Sequence, residues 1–284
     1  MPKNSGAAPG AAKLDLATAA GLVLGLAGIL GGLLLEGGRF TDVAQYTAAM
    51  IVVAGTLGAL LVTTPLALLR AAAKRIKDVF FEKTPPAEAV ISQLLEFARQ
   101  ARRSGIVALE EDADALSDSF LKKALSLAVD GTDLQDLRRI MELEIQLAER
   151  RGEAEAKVFE TAGGYAPTIG IIGAVLGLIQ VMKHLEDIER VGHGIAVAFV
   201  ATVYGVGLAN LVLLPAGNKL KARLESSLQL KELMLEGVIG IAEGMNPKLL
   251  ESKLEAFLEG SPRASEERAA GVAFASAGSV APVR

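Results

Sequence analysis

The chain has no cysteine. Disulfides, thiolate metal sites and thiol nucleophiles are therefore excluded. Histidine is scarce: the two residues, His184 and His193, lie between apolar runs, where a solvated loop role fits better than a proton relay. No HExxH, Walker A or paired GxGxxG is present, and the Gly170/Gly173/Gly177 spacing has no strand before it. No segment of note alternates at strand period, and no internal repeat is visible. A net charge of −4 is too weak to argue for nucleic acid. Charge is also missing in another sense, from four long runs at 16–35, 47–69, 161–182 and 195–214.

Hydrophobic residues make up 51% of the chain, yet charged residues make up 22%. That mixture fits membrane spans interleaved with polar segments. A helix of about 20 apolar residues crosses a hydrocarbon core of about 30 Å. The run at 16–35 exceeds a signal-peptide core and a second run follows closely, so it reads as a retained span. Arg70, Lys74, Arg75, Lys77 and Lys83 follow the second run, Arg150, Arg151 and Lys157 precede the third, and Lys219, Lys221 and Arg223 follow the fourth. The loops between spans one and two and between three and four are poor in net positive charge, which places them outside and both termini in the cytoplasm.

The expected fold is all-α: a polytopic membrane protein with four transmembrane helices and a helical cytoplasmic domain between spans two and three. Its segments are a disordered tail at 1–12, spans one and two at 13–69, the cytoplasmic domain at 70–160, spans three and four at 161–218, cytoplasmic helices at 219–258 and a disordered tail at 259–284. Five glycines on span one, with small-xxx-small spacing, favour close helix packing. Pro65 is expected to kink the second span near its end. Thr84-Pro85-Pro86 starts a helix that Ser104-Gly105 breaks, and Gly131 stops another. Thr132 and Gln135 read as a capping box, and no strong break follows until Gly163-Gly164, so a long helix is expected to enter span three directly.

No span holds an Asp, Glu or His, although ion pumps and relays use such groups. Small residues instead line single faces: Pro167, Gly170, Ala174 and Gly177 on span three, and Ala198, Thr202, Gly205 and Ala209 on span four. If ions pass here, a partner must bring the carboxylate against these stripes, with Thr202 offering its hydroxyl. The same pattern also serves plain helix packing, with Thr202 bonded to its own backbone. Arg102, Arg103, Glu110 and Glu111 flank the Ser104-Gly105 break and could meet a partner of complementary charge, or form a solvated surface. Catalytic residues, metal ligands and cofactor sites are not expected, nor is enzymatic activity.

Several segments resemble the MotA/PomA family of flagellar motor stator A subunits. They are Ala98–Gly105 with Leu109-Glu110; Phe120–Leu125 with Val129-Asp130-Gly131; Gly164-Tyr165-Ala166-Pro167 with Gly170, Gly173 and Gly177; Ala201–Gly205 with Leu208-Ala209-Asn210 and Pro215; and Glu236-Gly237 with Glu243-Gly244 and Asn246-Pro247. The likeness runs in order over about 14–258. It implies a five-fold ring in the bacterial inner membrane around a MotB-type partner, which supplies a transmembrane aspartate and a cell-wall-binding domain. Ion flow through such a complex turns the ring against the rotor protein FliG. By the same resemblance Pro167 and Pro215 couple ion flow to movement, Arg102 and Glu110 engage the rotor, and Arg103 and Glu111 assist. Sodium-driven relatives place threonine where Ala174 stands and a Thr-Thr pair where Ala201-Thr202 stands, so proton coupling is expected. Gly207 departs from the larger apolar residue common in relatives. The competing readings are a sodium-driven PomA-type stator, an ExbB/TolQ-like energiser of an outer-membrane process, and a structural membrane scaffold without ion flux.

Overall fold

The structure is a computed structural model that describes residues 13–82 and 84–259. The expected tails therefore lie outside the described residues, apart from Glu259. Among the described residues, four helical stretches are long and apolar enough to cross a membrane, as expected. Contacts divide the chain into two units, one taking 13–82 with 150–223 and the other 84–149 with 224–259. The sequence boundaries had grouped 70–160 together. Instead the ends of that stretch pack with the spans, and its middle packs with the C-terminal helices.

In the span unit, α1 (Leu16–Leu35) starts at Asp15, whose carboxylate accepts from the Thr18 N–H at 3.2 Å. No residue of α1 is buried, and of its five glycines only Gly25 closely approaches a neighbour, Leu211. The expected close packing of the span-one glycines is thus not made within this chain. A short α2 (Phe40–Val43) leads to α3 (Tyr46–Thr63), which buries Ala48, Val52, Thr56 and Leu60 at four-residue spacing. The second span is broken where a kink was expected. Thr64 is extended at φ −129° and ψ 130°, because the ring of Pro65 disfavours a helical conformation just before it. Pro65 then caps α4 (Leu66–Phe80). Just beyond α4, the two-residue strands β1 (Lys13–Leu14) and β2 (Phe81–Glu82) pair antiparallel, Leu14 opposite Phe81.

The span unit also takes the later part of α8 (Leu134–Lys183), all of α9 (Ile188–Gly207), and the start of α10 (Leu214–Ala242). α8 is one uninterrupted helix of 50 residues, so the long helix expected to enter span three is present. Gly163-Gly164 does not end it. Gly163 instead lets α10 come close, since a Cβ there would lie 2.6 Å from a Leu214 methyl. Between α9 and α10, residues Leu208–Leu213 form a π-helical turn. Its wider turn ends two residues before Pro215, which has no N–H to donate.

The other unit is a helical module. α5 (Ala87–Ser104) is followed by a 3-10 turn (Ile106–Leu109), α6 (Glu110–Ala115) and α7 (Ser119–Val129). They pack on the start of α8, the later part of α10 and α11 (Pro247–Glu259) around Leu94, Leu109, Phe120, Leu125, Met141, Val238, Leu250 and Leu254. Gly131 has φ +72° and ends α7, as its position suggested. The cap of α8 lies one residue later than the expected Thr132. The Asp133 carboxylate accepts from the Gln135 N–H at 2.8 Å, and the helix begins at Leu134. Both residue types suit a cap, and Asp133 is the one that stands directly before the first helical residue, where its carboxylate meets a free N–H group. The Arg138 guanidinium and the Lys253 ammonium both donate to Glu236, at 2.7 and 2.6 Å, joining α8, α10 and α11.

Candidate functional site

The two small-residue stripes meet each other. A Cβ on Gly170 would lie 2.8 Å from the Ala201 carbonyl oxygen and 3.5 Å from the Thr202 Cα. One on Gly205 would lie 2.5 Å from the Ala166 carbonyl oxygen and 3.2 Å from the Pro167 Cα, and one on Gly177 would lie 2.7 Å from the Gly194 carbonyl oxygen. Each of these contacts is with backbone, which has nowhere to go, so α8 and α9 cross at a distance only glycine permits. Glycines facing across an antiparallel pair act as a zip.

This arrangement matches the packing alternative of the two readings of the stripes. The stripes are not held open for a partner helix, because they are filled within the chain. What remains free beside them is apolar: Ile171, Ile172 and Val175 on α8, and Phe199, Val203 and Val206 on α9 are exposed. Ala174 and Thr202 are half-buried at the edges of the seam. The Thr202 hydroxyl donates to the Ala198 carbonyl at 3.2 Å, the backbone-bonded alternative, so in this state its hydrogen is already engaged. Ala201 is fully buried, and a Cβ on Gly173 would come within 2.8 Å of its methyl.

Pro167 lies inside α8 beside Gly205, while Pro215 is the second residue of α10 and is exposed. The structure thus brings Pro167, Gly170 and Thr202 to one crossing, and places Pro215 just past the π turn. Tyr204 anchors the next span to this seam. Its hydroxyl donates to the Val43 carbonyl and accepts from the Gln45 N–H at 3.3 Å. His184 and His193 stand near the α8–α9 turn, as expected; His184 is half-buried and His193 is exposed.

At the opposite end of α1 lies an ion cluster the sequence reading did not find. Asp15 accepts from Lys219 at 2.6 Å and from Arg223 at 2.8 Å. The Arg223 guanidinium also donates to the Asp78 and Phe81 carbonyls, and the Asp15 N–H donates to the Phe80 carbonyl at 2.8 Å. Donation from Lys219, helped by the Thr18 N–H and Arg223 and opposed by burial, holds the Asp15 carboxyl well below its usual range. The signal was an acid immediately before an apolar run, but its partners come about 200 residues later, beyond any local pattern.

The charged turn belongs to the other unit. Arg102 and Arg103 occupy the last turn of α5, and Glu110 and Glu111 the first turn of α6, each sign suiting its helix end. Gly105, at φ +82°, reverses the chain between them, and fully buried Leu109 pins the turn to the core. The Gln100 amide donates to the Ala108 carbonyl at 3.1 Å and to Asp112 at 2.7 Å, bracing both sides of the turn. All four charged side chains are exposed, and none makes an ion pair with a described residue. In the same unit, burial works against the charge of Glu236, but donation from Arg138 and Lys253 outweighs it and leaves the carboxyl below its usual value.

The chain is similar to proteins already described. A family model described as the MotA/TolQ/ExbB proton channel family matches residues 112–233, and one described as Motility protein A N-terminal matches 19–105. Motility protein A of Bacillus subtilis is 36% identical over 251 residues, 88% of this chain and 93% of that protein. Motility protein A of Helicobacter pylori is 36% identical over 254 residues, 89% of this chain and 99% of that protein. A solved structure of C. jejuni MotAB aligns with a TM-score of 0.83 at 35% identity, covering 88% of this chain and 98% of that one. These likenesses run through both units, and the chain belongs to the motility protein A family.

Proposed function

We propose that this chain is a stator subunit of the bacterial flagellar motor, a multi-pass inner-membrane protein with both termini in the cytoplasm. The observation that carries this reading is the likeness to motility protein A over nearly the whole of both chains. With a MotB-type partner and further copies of itself, as a pentamer, it forms a proton path whose flux turns the rotor. The spans carry no acid of their own, so the titrating carboxylate belongs to the partner. The partner helix lies against the apolar faces flanking the seam, where Ala174 and Thr202 are reachable from the edge. Pro167 sits at the zip and Pro215 after the π turn, at places where one backbone donor is missing in each helix, and they give the seam its freedom to bend. Arg102 and Glu110, with Arg103 and Glu111 beside them, offer unpaired charge of both signs to the rotor protein FliG.

Proton coupling is supported by Ala174 and by the buried Ala201. Neither methyl can replace water around sodium, and the second is fully buried. An ExbB/TolQ-like energiser is the second reading, since the channel family model includes those proteins. The separate match at 19–105 and the charged turn favour the stator. The test is to express the chain with its MotB-type partner in a stator-null, paralysed cell. Swimming that persists without sodium and stops when the proton gradient collapses is the expected result. Sodium-dependent swimming would overturn the ion assignment, and failure to swim with a correctly inserted complex would overturn the stator reading.

A further inference from the structure

α4 carries three basic side chains that the fold leaves unpaired. Arg70, Lys74 and Lys77 are exposed, and none makes an ion pair or side-chain hydrogen bond with a described residue. Spacings of four and three put them on one helix face. The opposite face, Leu68, Ala72 and Val79, is seated on Ala156, Phe159 and Leu220. Arg75 turns toward that buried side and is neutralised by Glu155 at 2.7 Å and Asp78 at 3.1 Å. Asp78 is the only acid in α4, so nothing on the helix compensates the three outward charges.

Both ends of α4 are tied to apolar spans. Its cap Pro65 stands two residues beyond the end of α3. Its last residue, Phe80, accepts the Asp15 N–H, one residue before α1 begins. A helix of 15 residues, about 22 Å long, is thereby strung between the same-side ends of two spans. That is the depth at which hydrocarbon gives way to headgroups. Leu66 and Phe81, 51% and 40% exposed, bracket the basic stripe with apolar surface. A triply positive face with apolar flanks at that depth matches a layer of negative phosphates above acyl chains.

We infer that Arg70, Lys74 and Lys77 form a docking surface for the headgroups of anionic phospholipids in the leaflet beside α4. The contact is multivalent and electrostatic, so it selects by headgroup charge and weakens as salt screens it. It does not depend on whether the chain drives rotation.

The test uses the full chain with its partner in vesicles of phosphatidylglycerol and phosphatidylethanolamine, with a trace of spin-labelled phosphatidylglycerol or phosphatidylcholine. In the unaltered protein, a larger fraction of the labelled phosphatidylglycerol than of the phosphatidylcholine is expected to be immobilised, and this excess falls at about 1 M salt. In R70Q/K74Q/K77Q the excess is expected to drop at least about twofold. The charge-retaining R70K/K77R keeps it, and Lys74→Gln alone gives an intermediate loss, which reads the effect even if the triple variant inserts poorly. Equal immobilisation of the two lipids, or an excess that survives both the triple and the single glutamine variants, overturns the inference. So does a triple variant that elutes as a smaller assembly in lipid-free detergent, because the stripe would then face a second copy of the chain.

Discussion

Gly205 fixes how near α8 and α9 can come. A Cβ there would meet the Ala166 carbonyl oxygen at 2.5 Å, inside any normal contact, so the helices would have to part. Gly205→Ala is expected to destabilise the protein by about 1–3 kcal/mol and to reduce ion-driven swimming. Gly207→Ala is the matched control. It lies two residues on, a Cβ there meets nothing within 4 Å, and it should leave both readouts unchanged. Thermal unfolding in detergent and swimming speed in a stator-null cell check the pair. The stripes themselves were legible, since small residues recur at three- and four-residue steps. Their occupant was not. Periodicity says that a face is small, and it is silent on whether the helix filling it belongs to the same chain or another. The sequence reading left these faces open to a partner or to plain helix packing, and Gly170 and Gly205 give them to each other.

Element ends were the most legible features, because they are set by chemistry within a few residues. Pro86, Gly105 and Gly131 all bound helices where the sequence suggested. The misses are small and local, as with Thr132 against Asp133, or come from reading Pro65 as a kink when the preceding Thr64 cannot stay helical. The tie joining β1, α1, α4 and α10 through Asp15 was not legible, because its charges come from opposite ends of the sequence. Asp15→Asn leaves Arg223 and Lys219 without their carboxylate and is expected to cost about 2 kcal/mol. The pH dependence has a definite sign. The Asp15 carboxyl is held below its ordinary 3.8 in the folded chain, so its stabilisation is complete above that value and is lost as pH falls toward the folded one. Unfolding temperatures should therefore differ between the two proteins by a constant amount from about pH 5 to 8 and converge in stronger acid.

For the molecule as a whole, span number and order followed from charge-free runs, and the structure keeps both. The make-up of the second unit did not follow, since the apolar faces of α10 and α11 do not say which helices cover them. They pack with α5 and α7 in one core, so the charged turn stands on a base built from two distant segments. Charge reversal tests whether that turn acts outward. Arg102→Glu or Glu110→Lys should leave thermal stability and assembly with the partner unchanged, because neither side chain has a partner within the described chain, while swimming falls severalfold. Elution volume, unfolding temperature and swimming speed separate these effects, and normal swimming by either variant would remove that residue from the rotor contact. The tie at Asp15 also bears on biosynthesis. Its carboxylate and Arg223 stand 208 residues apart, which at ribosomal speeds is about 10–40 s of translation. The first two spans are thus made with the Asp15 end of α1 unfastened, and the tie closes only once Lys219 and Arg223 have been synthesised.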